Sequence, residues 1–376
     1  MLVLRKVIIA KVSLFMVMMA LYIGVPIVNA GGAVFEWTSP TTADLNSVFM
    51  LSISDGWAVG DGGTTIHWNG TDWSNVTSHT TEDLHSVFMV SSDDVWAVGT
   101  NGLIIHWDGA DWSFVASHTT NTLYSVHMLN ASYGWAVGYG GVSVRWNGVS
   151  WGIVTTPLDS DDSLYSVFMV SDNDGWAVGE NRTSVPRPFP QPPLTDKSGI
   201  ILHWDGTQWS VYDIDLYRRI PKSVFMLNTN NGWVVGSTFL LIPGNDVVLH
   251  WDGVNWTETA TPITIPLYST YIVSSNDGWA VGSAGTIIHW NGTQWSNVTS
   301  PTTNSVNSVY IVNAEDGWAV GDNGTIIRWT GTEWIPEFSA MIFTLLLISL
   351  TLIAITLTRI VLKKRRTLLF KRNTPL

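Results

Sequence analysis

The chain contains no cysteine, and its long central part contains few basic residues. The absence of cysteine excludes a disulfide framework and any cysteine-ligated metal site. Residues 31–340 hold eight Lys or Arg against thirty Asp or Glu, a net charge of −22. Proteins that bind nucleic acid present a basic face to the phosphates, so this acidic composition disfavours a nucleic-acid partner.

The remaining basic residues are concentrated at the two ends of the chain. Residues 1–30 carry a net charge of +3, and their last basic residue is Lys11. A mostly apolar run follows from Val12 to Val28. Val28-Asn29-Ala30 then offers side chains that signal peptidase accepts. The pattern predicts a secretory signal peptide over residues 1–30, with an uncleaved signal anchor as the alternative.

Residues 341–362 are apolar apart from Ser, Thr and Arg359, and Lys363-Lys364-Arg365-Arg366 follows directly. This length predicts a single transmembrane helix over 341–362. By the positive-inside rule the basic tail, residues 363–376, is cytoplasmic. We therefore expect the body of the protein at the outer face of the cytoplasmic membrane, exposed at the cell surface.

Tryptophan is abundant, with 22 residues, and 21 of them belong to a unit that occurs seven times. In each unit Gly/Val-Trp-Ala/Val-Val-Gly precedes Trp-x-Gly-x-x-Trp, and Trp37 is an extra copy of the last position. Successive units lie 39 to 57 residues apart, a period typical of radial or solenoidal arrays of small sheets. The first tryptophans of the units are Trp57, Trp96, Trp135, Trp176, Trp233, Trp279 and Trp318.

One unit reads as four short strands, which we name a to d in chain order. In residues 307–334, β-prone runs at 308–312, 318–321 and 325–329 and a last strand at Trp334 are separated by turn residues. Four such strands form an antiparallel meander, which is one propeller blade. The sequence predicts an all-β, seven-bladed β-propeller of four-stranded antiparallel blades over residues 31–335.

The turn between strands c and d has a glycine in all seven units, for example Gly292 and Gly331. Such regularity predicts a backbone position with positive φ. The tryptophans on either side should then face each other across the hairpin. The a–b turn is less strict, because Val95 replaces glycine there in the second unit.

Residues 277–289, DGWAVGSAGTIIH, resemble the propeller of the photosystem II stability and assembly factors. The c–d hairpin is also similar to the Asp-box of sialidase-like propellers, without its leading Ser-x-Asp. The resemblance implies the propeller fold, and it adds the assembly of a membrane complex to the possible roles.

Pro336-Glu337-Phe338 stands directly before the predicted transmembrane helix and its basic cluster. This order resembles the C-terminal sorting signal of archaeal surface proteins, with residues 336–340 as its linker. The resemblance implies a sorting transpeptidase as a partner, which would remove the helix and join the body to a lipid.

Five units carry histidine directly before the tryptophan of strand c, at His67, His106, His203, His250 and His289. Because Arg145 and Arg328 replace it in the other two units, a hydrogen bond to the neighbouring blade is expected rather than a ring of metal ligands. The remaining histidines, His79, His85, His118 and His127, are expected around the d–a connections, with no metal-ligand spacing.

Acidic residues cluster at 159–162 and 172–174, and calcium binding there is the alternative to a turn role. Neither cluster has the full set of oxygen ligands that calcium needs, so we expect no metal and no cofactor. A sialidase-like glycan hydrolase needs paired carboxylates and an arginine cluster. Since arginine is scarce and no such set stands out, no catalytic residue is assigned and the protein is not expected to be an enzyme.

Asn-x-Ser/Thr sequons are candidate glycosylation sites on an exported chain. They occur at Asn69, Asn75, Asn130, Asn181, Asn255, Asn291, Asn297 and Asn323.

Two insertions interrupt the repeat, at 180–199 in the fourth unit and at 237–246 in the fifth, both between strands b and c. The d–a segment 211–222 between these units also departs in composition. Because b–c and d–a connections emerge on the same face, these irregular segments predict one basic, apolar-tipped binding patch. Tolerated surface insertions are the alternative. The candidate patch comprises Arg182, Arg187, Lys197, Arg218, Arg219, Lys222, Phe239 and Leu240.

Eight d-type tryptophans serve seven blades, so Trp37 and Trp334 compete for the outer strand of the last blade. Pairing of residues 36–38 with Thr325–Trp329 would tie the two chain ends together, and we expect this closure. The chain would then leave the ring on the face opposite the insertions, and the patch would point away from the membrane.

Together these features predict a membrane-anchored extracellular propeller that acts as a cell-surface binding or scaffold module for protein or glycan. The alternatives are a sialidase-like glycan hydrolase and an assembly factor for a membrane complex. 

The predicted orientation can be tested on intact cells. Protease added outside should digest the repeat body and leave residues 363–376 protected, because the basic cluster holds the tail on the cytoplasmic side. Immunoblotting of epitope tags placed in the body and in the tail shows which of the two segments has been digested. Digestion of the tail alone would reverse the orientation.

Overall fold

A computed structural model describes residues 39–185, 194–238 and 247–336, with residues 182–185 and 194–196 described by their backbone alone. The predicted signal peptide, transmembrane helix and cytoplasmic tail lie outside these residues, as does Trp37. Across the part of the chain that is described, no helix is long and apolar enough to cross a membrane.

The described strands are numbered in chain order, four to a blade. Blades 1 to 4 consist of β1 Leu45–Ser52, β2 Asp55–Gly60, β3 Thr65–Trp68, β4 Trp73–Val76; β5 Leu84–Ser91, β6 Asp94–Gly99, β7 Ile104–Trp107, β8 Trp112–Phe114; β9 Leu123–Asn130, β10 Tyr133–Gly138, β11 Ser143–Trp146, β12 Trp151–Ile153; β13 Ser163–Ser171, β14 Asp174–Val185, β15 Leu194–Trp204 and β16 Trp209–Val211. Blades 5 to 7 consist of β17 Arg219–Asn228, β18 Asn231–Thr238, β19 Val247–Trp251, β20 Trp256–Glu258; β21 Leu267–Ser274, β22 Asp277–Gly282, β23 Ile287–Trp290, β24 Trp295–Asn297; β25 Val306–Asn313, β26 Asp316–Gly321, β27 Thr325–Trp329 and β28 Trp334–Pro336. Single-turn 3₁₀ helices occupy the b–c connections at Asp61–Gly63, Thr100–Gly102, Ser283–Gly285 and Asp322–Gly324.

Each blade is a sheet of four consecutive strands paired in chain order, antiparallel throughout. The first strands of successive blades contact one another around the ring, and β25 of the last blade contacts β1 of the first. Strand a is therefore innermost and strand d is outermost. The predicted seven-bladed β-propeller is confirmed. We call the face that carries the b–c and d–a connections the insertion face, and the opposite face the hairpin face.

The last blade is completed from the C-terminal side. In β28, Trp334 pairs with Trp329 and Pro336 with Ile327, while the other edge of β27 pairs with β26. The predicted closure by residues 36–38 is therefore wrong. A short hairpin around Gly331 brings Trp334 to the edge at a small cost in loop entropy, whereas closure from the N terminus would bridge almost the whole chain. The chain also leaves β28 on the insertion face, so the expected exit on the opposite face is wrong, and the outward orientation of the patch loses the argument on which it rested.

The c–d hairpins form as predicted. The glycine that the seven hairpins share has a positive φ in each of them, between 86° at Gly331 and 94° at Gly206. The two tryptophans of each hairpin are directly opposite in the register, as Trp68 and Trp73 are. Val95 takes the a–b position within β6 without a positive φ, in agreement with the weaker requirement there.

Three tryptophans meet at every interface between neighbouring blades. The strand-b indole of one blade lies 4.6–5.0 Å from the strand-c indole of the next, between ring centroids. It lies 5.1–5.5 Å from the strand-d indole, which it meets nearly at a right angle. Edge-to-face contacts of this kind stabilise beyond simple burial. The triads are Trp57/Trp107/Trp112, Trp96/Trp146/Trp151, Trp135/Trp204/Trp209, Trp176/Trp251/Trp256, Trp233/Trp290/Trp295, Trp279/Trp329/Trp334 and Trp318/Trp68/Trp73.

A serine in every innermost strand links each blade to the next. Its Oγ accepts a hydrogen bond from a backbone N–H of the following strand a, at 3.2–3.3 Å. At the junction of the last and first blades, Val48 N–H donates to Ser308 Oγ. These bonds supply a partner for inner-strand N–H groups that have no strand beside them. The ring comprises Ser47, Ser86, Ser125, Ser166, Ser223, Ser269 and Ser308.

The central channel is lined by a second ring, made of aromatic side chains from the same strands. Neighbouring ring centroids are 4.3–4.9 Å apart, and the circle is complete. His127 is one member, so its expected place in a d–a connection is wrong: it lies on β9. Burial lowers the pKa of His127 to about 3, which keeps it a neutral aromatic residue. The members are Phe49, Phe88, His127, Phe168, Phe225, Tyr271 and Tyr310.

The tryptophan triad at the closing interface should control the stability of the whole ring. Trp318 is fully buried, and Trp318→Ala should lower the free energy of unfolding by about 3–5 kcal/mol, measured by chemical denaturation. Trp290→Ala is the matched control, because this strand-c tryptophan is partly exposed and should cost less. Equal losses from both variants would contradict the assignment of the strand-b indole as the centre of the triad.

Candidate functional site: the channel mouth on the insertion face

The insertion in the fourth blade is an extension of its sheet, not a loop. β14 and β15 remain paired beyond the blade as far as Val185 and Leu194. The following d–a segment lies along this extension, because Gly199 N–H donates to Leu216 O at 2.9 Å and Arg218 N–H donates to Lys197 O at 3.0 Å. Ladder pairing thus positions the irregular segments next to one another on the insertion face.

The described members of the predicted patch have different surroundings. Lys197 and Arg218 are brought together by the backbone bond just described, and Arg218 lies over the ring of Tyr217 at 5.1 Å. Arg219 begins β17 and forms an ion pair with Glu258 of the same blade. Arg182 pairs with Lys197 in the backbone register. Arg187, Phe239 and Leu240 lie outside the described residues.

Lys197 is held by a buried carboxylate. Its Nζ donates to both oxygens of Glu180, at 2.7 and 2.8 Å. The Glu180 side chain is 4% exposed and that of Lys197 is 26% exposed. A carboxylate so enclosed needs its counter-ion, so this pair is part of the scaffold that holds the extended hairpin.

Lys222 is the patch residue that faces the channel mouth. Its Nζ lies 3.5 Å from the ring centroid of Tyr165, on the inner strand of the preceding blade. Burial lowers the pKa of Lys222 to about 8, an effect that Glu180 opposes and Lys197 reinforces. Its ammonium is therefore stabilised by a π face and a nearby carboxylate while being partly removed from water.

Lys222 belongs to a set of seven equivalent residues, each the extra residue of a β-bulge. In every blade the register between strands a and b shifts near the start of strand a, as between Leu45 and Ser47. A bulge leaves one residue unpaired and re-aims its side chain. The bulge residues are Asn46, His85, Tyr124, Tyr165, Lys222, Tyr268 and Asn307.

Contacts between adjacent blades show that these bulge residues converge at the mouth. The rings of His85 and Tyr124 are 5.5 Å apart, as are those of Tyr124 and Tyr165. Asn46 Nδ2 donates to the backbone oxygen of Leu84 in the next blade at 2.9 Å. Since the chain enters strand a at the insertion face, the bulge ring surrounds the channel opening there, and the aromatic ring lines the channel below it.

The bulge side chains around this opening differ in charge. Burial lowers the pKa of His85, opposed by Asp83 and Asp61, so the imidazole is favoured in its neutral form. Asn46 and Asn307 each donate to an aspartate of their own b–c connection, at 2.9 Å. The tyrosines and asparagines are neutral, and Lys222 is therefore the cation of the bulge ring.

The repeated histidines of strand c do not reach the neighbouring blade, so that expectation is wrong. Their Nε2 atoms lie 2.8–2.9 Å from the aspartate that starts strand b of the same blade, and Asn231 takes its place for His250 at 3.1 Å. Arg328 makes the equivalent pair with Asp316. Strands b and c are neighbours in one sheet, which makes the contact local. His85, like His127, lies on an inner strand rather than in a d–a connection.

The acidic clusters have local structural contacts. Asp162 is buried and its Oδ2 accepts the backbone N–H of Asp159 at 2.9 Å, while Asp174 bonds to His203. Within the described residues no group of three or more His, Asp or Glu is arranged to hold a metal ion. The sequon asparagines lie at the surface, apart from the partly buried Asn181, and the amide of Asn75 donates to Pro40 O at 2.8 Å.

No protein-family model matches the chain, and no curated protein matches it by sequence. Solved β-propellers do match its fold. YCF48 bound to a D1 peptide has a TM-score of 0.60 at 17% identity, covering 78% of this chain and 94% of that one. YCF48 from Cyanidioschyzon merolae has a TM-score of 0.59 at 15% identity, covering 77% and 97%. The crystal structure of the WD40 β-propeller domain of Doa1 has a TM-score of 0.57 at 15% identity, covering 77% and 92%. The chain is therefore similar to propeller proteins of two kinds, and at these identities the similarity shows the fold.

The buried ion pair predicts a measurable stability change. Lys197→Met should lower the free energy of unfolding by about 1–3 kcal/mol, less than for a fully buried pair because water reaches Lys197. Adding Glu180→Gln should recover part of the loss, since the carboxylate that lost Lys197 is then neutral, although Lys222 loses a nearby anion. Chemical denaturation of the three proteins measures this, and additive losses would contradict the pairing.

Proposed function

We propose that this protein is a non-enzymatic, protein-binding propeller held at the outer face of the cytoplasmic membrane, with its partner docked on the insertion face. The observation that carries the proposal is the break in sevenfold symmetry at blades 4 and 5. The paired extension of β14 and β15 lies there beside the d–a segment that follows it. The same region carries four basic side chains, Lys197, Arg218, Arg219 and Lys222, on an otherwise acidic body. Interaction sites are built from such departures on a regular scaffold.

The likeness to YCF48 bound to a D1 peptide supports a protein partner, since a propeller of this fold accommodates a peptide ligand. A role in assembling a membrane complex fits the same comparison. Glycan binding remains an alternative occupant of the same face. The predicted signal peptide, transmembrane helix and sorting-like linker support the extracellular location, and the exposed sequons support glycosylation of the body.

Charge reversal at the patch tests the docking surface. Arg218→Glu together with Arg219→Glu should weaken capture of cross-linked partners by the full-length chain. The melting temperature should change little, because the Arg219–Glu258 pair is largely solvent-exposed at Glu258 and such pairs contribute about 0–1 kcal/mol. Arg145→Glu, in strand c of the third blade, controls for the loss of positive charge. Unchanged capture by the double variant would contradict docking at the patch.

Chromogenic glycosides separate binding from catalysis. The full-length protein should release no chromophore from a panel that includes sialosides, because no carboxylate pair with an arginine clamp stands out in the sequence. Turnover that is lost on substitution of a channel-mouth residue would replace the binding proposal with the hydrolase alternative.

A further inference from the structure

The bulge ring separates what repeats in this propeller from what varies. The residues flanking each bulge are nearly constant: the one before it is Leu in five blades, with Pro221 and Val306 in the others, and the one after it is always Ser. The bulge residue itself is Asn, His, Tyr or Lys. Positions that pack the blades are thus uniform, while the position aimed into the mouth has a different chemistry from blade to blade. Such a pattern is expected of a recognition surface on a repeat scaffold.

The charge balance beside Lys222 is uneven. Among the described side chains here, Lys197 and Lys222 are two cations and Glu180 is one carboxylate, with both of its oxygens bonded to Lys197. Across the described residues Lys222 forms no ion pair of its own. A partly buried ammonium gains from an additional anion, and a carboxylate is the acceptor that gives the strongest hydrogen bond to it.

The surroundings of the mouth favour some ligand groups over others. The aromatic ring from Phe49 to Tyr310 lines the channel below the bulge residues, so a charged group that enters from the insertion face meets an apolar lining there. The Tyr124 and Tyr165 rings form a neutral wall beside Lys222. On the far side, Asp61 and Asp322 lie next to Asn46 and Asn307, and they repel an acidic group placed there.

We propose that the channel mouth receives a side-chain carboxylate of the protein partner, bound to the Lys222 ammonium and walled by Tyr124 and Tyr165. This inference rests on the proposed protein-binding function and names the chemistry of its ligand. A peptide is favoured over an acidic glycan because the extended β14–β15 hairpin rises beside Lys222 and offers a long surface for a polypeptide. The aspartates across the mouth restrict the site to one well-placed acidic residue rather than a polyacidic stretch.

The test uses the full-length protein in detergent and an array of 15-residue peptides with varied sequences. Peptides that bind should contain an Asp or Glu whose replacement by Asn or Gln lowers affinity about tenfold or more, as expected for a charge-assisted hydrogen bond. Lys222→Met should cause a similar loss, and the two changes together should cost little more than either alone. Tyr165→Phe keeps the wall and should bind within about threefold of the wild type.

Arg145→Met, in strand c of the third blade, is the matched control for the loss of one cation. Arg218→Met is compared with Lys222→Met, because it removes a cation of the patch without altering the mouth. If binding depends on Arg218 and not on Lys222, the docking proposal stands and the carboxylate site is refuted. If no peptide binds, or if an oligogalacturonate array binds through Lys222 instead, both the protein partner and this inference fail.

A measurement on the wild-type protein guards against misfolding of the variants. Residues 31–340 contain two lysines, so limited acetylation followed by mass spectrometry reports Lys222 against Lys197 as an internal reference. A bound acidic peptide should lower the acetylation of Lys222 near pH 8 about threefold or more relative to Lys197, because a carboxylate stabilises the protonated amine. An unchanged ratio at saturating peptide would overturn the proposal.

Discussion

The propeller depends on the aromatic contact that each blade makes with the next. A single blade is a small, strongly twisted sheet with both faces apolar, and it cannot bury them alone. The strand-b indole of one blade, seated between the strand-c and strand-d indoles of its neighbour, covers those faces at every interface. Because the contact between Trp318 and the Trp68/Trp73 pair is built like the others, the closing interface needs no special device. The serine and aromatic rings of the inner strands are further contacts between the same neighbouring blades.

The same uniformity explains where a site can exist. Residues that pack are constrained to be alike in every blade, and the structure leaves variation to the bulge residue of strand a and to the b–c and d–a connections. The bulge residues and these connections both lie on the insertion face. At blades 4 and 5 they are in contact range of each other, because the bulge residue Lys222 lies next to Glu180 and Lys197 of the extended hairpin. The described part of the candidate patch is therefore continuous with the channel mouth.

Much of this fold was predictable from the sequence, because Trp and Gly mark the c–d hairpin without exception and fix the blade count. The bulges were not predicted, since an additional residue inside a strand leaves no turn signal. An alignment of the seven units would have shown the bulge position as a variable residue between two nearly constant ones, as with Asn46 between Leu45 and Ser47. Ring closure was mispredicted because Trp37 and Trp334 satisfy the same pattern, and the choice rests on the entropy of a short hairpin. The role of Lys222 requires three-dimensional proximity to Tyr165, which is 57 residues away in the chain.

Completion of the last blade by its own C-terminal strand has a mechanical consequence. Among the described strands, none from one end of the chain completes the blade at the other end, so the ring has a seam between the last blade and the first. A force applied beyond Pro336 acts on a three-residue outer strand, β28, whose ladder bonds to β27 are loaded one after another, as in a zipper. Peeling β28 removes Trp334 from the Trp279 triad and exposes the interface behind it. A tether at this end would thus make the seventh blade the weakest link under load, while the Lys222 region, two blades away, would remain folded.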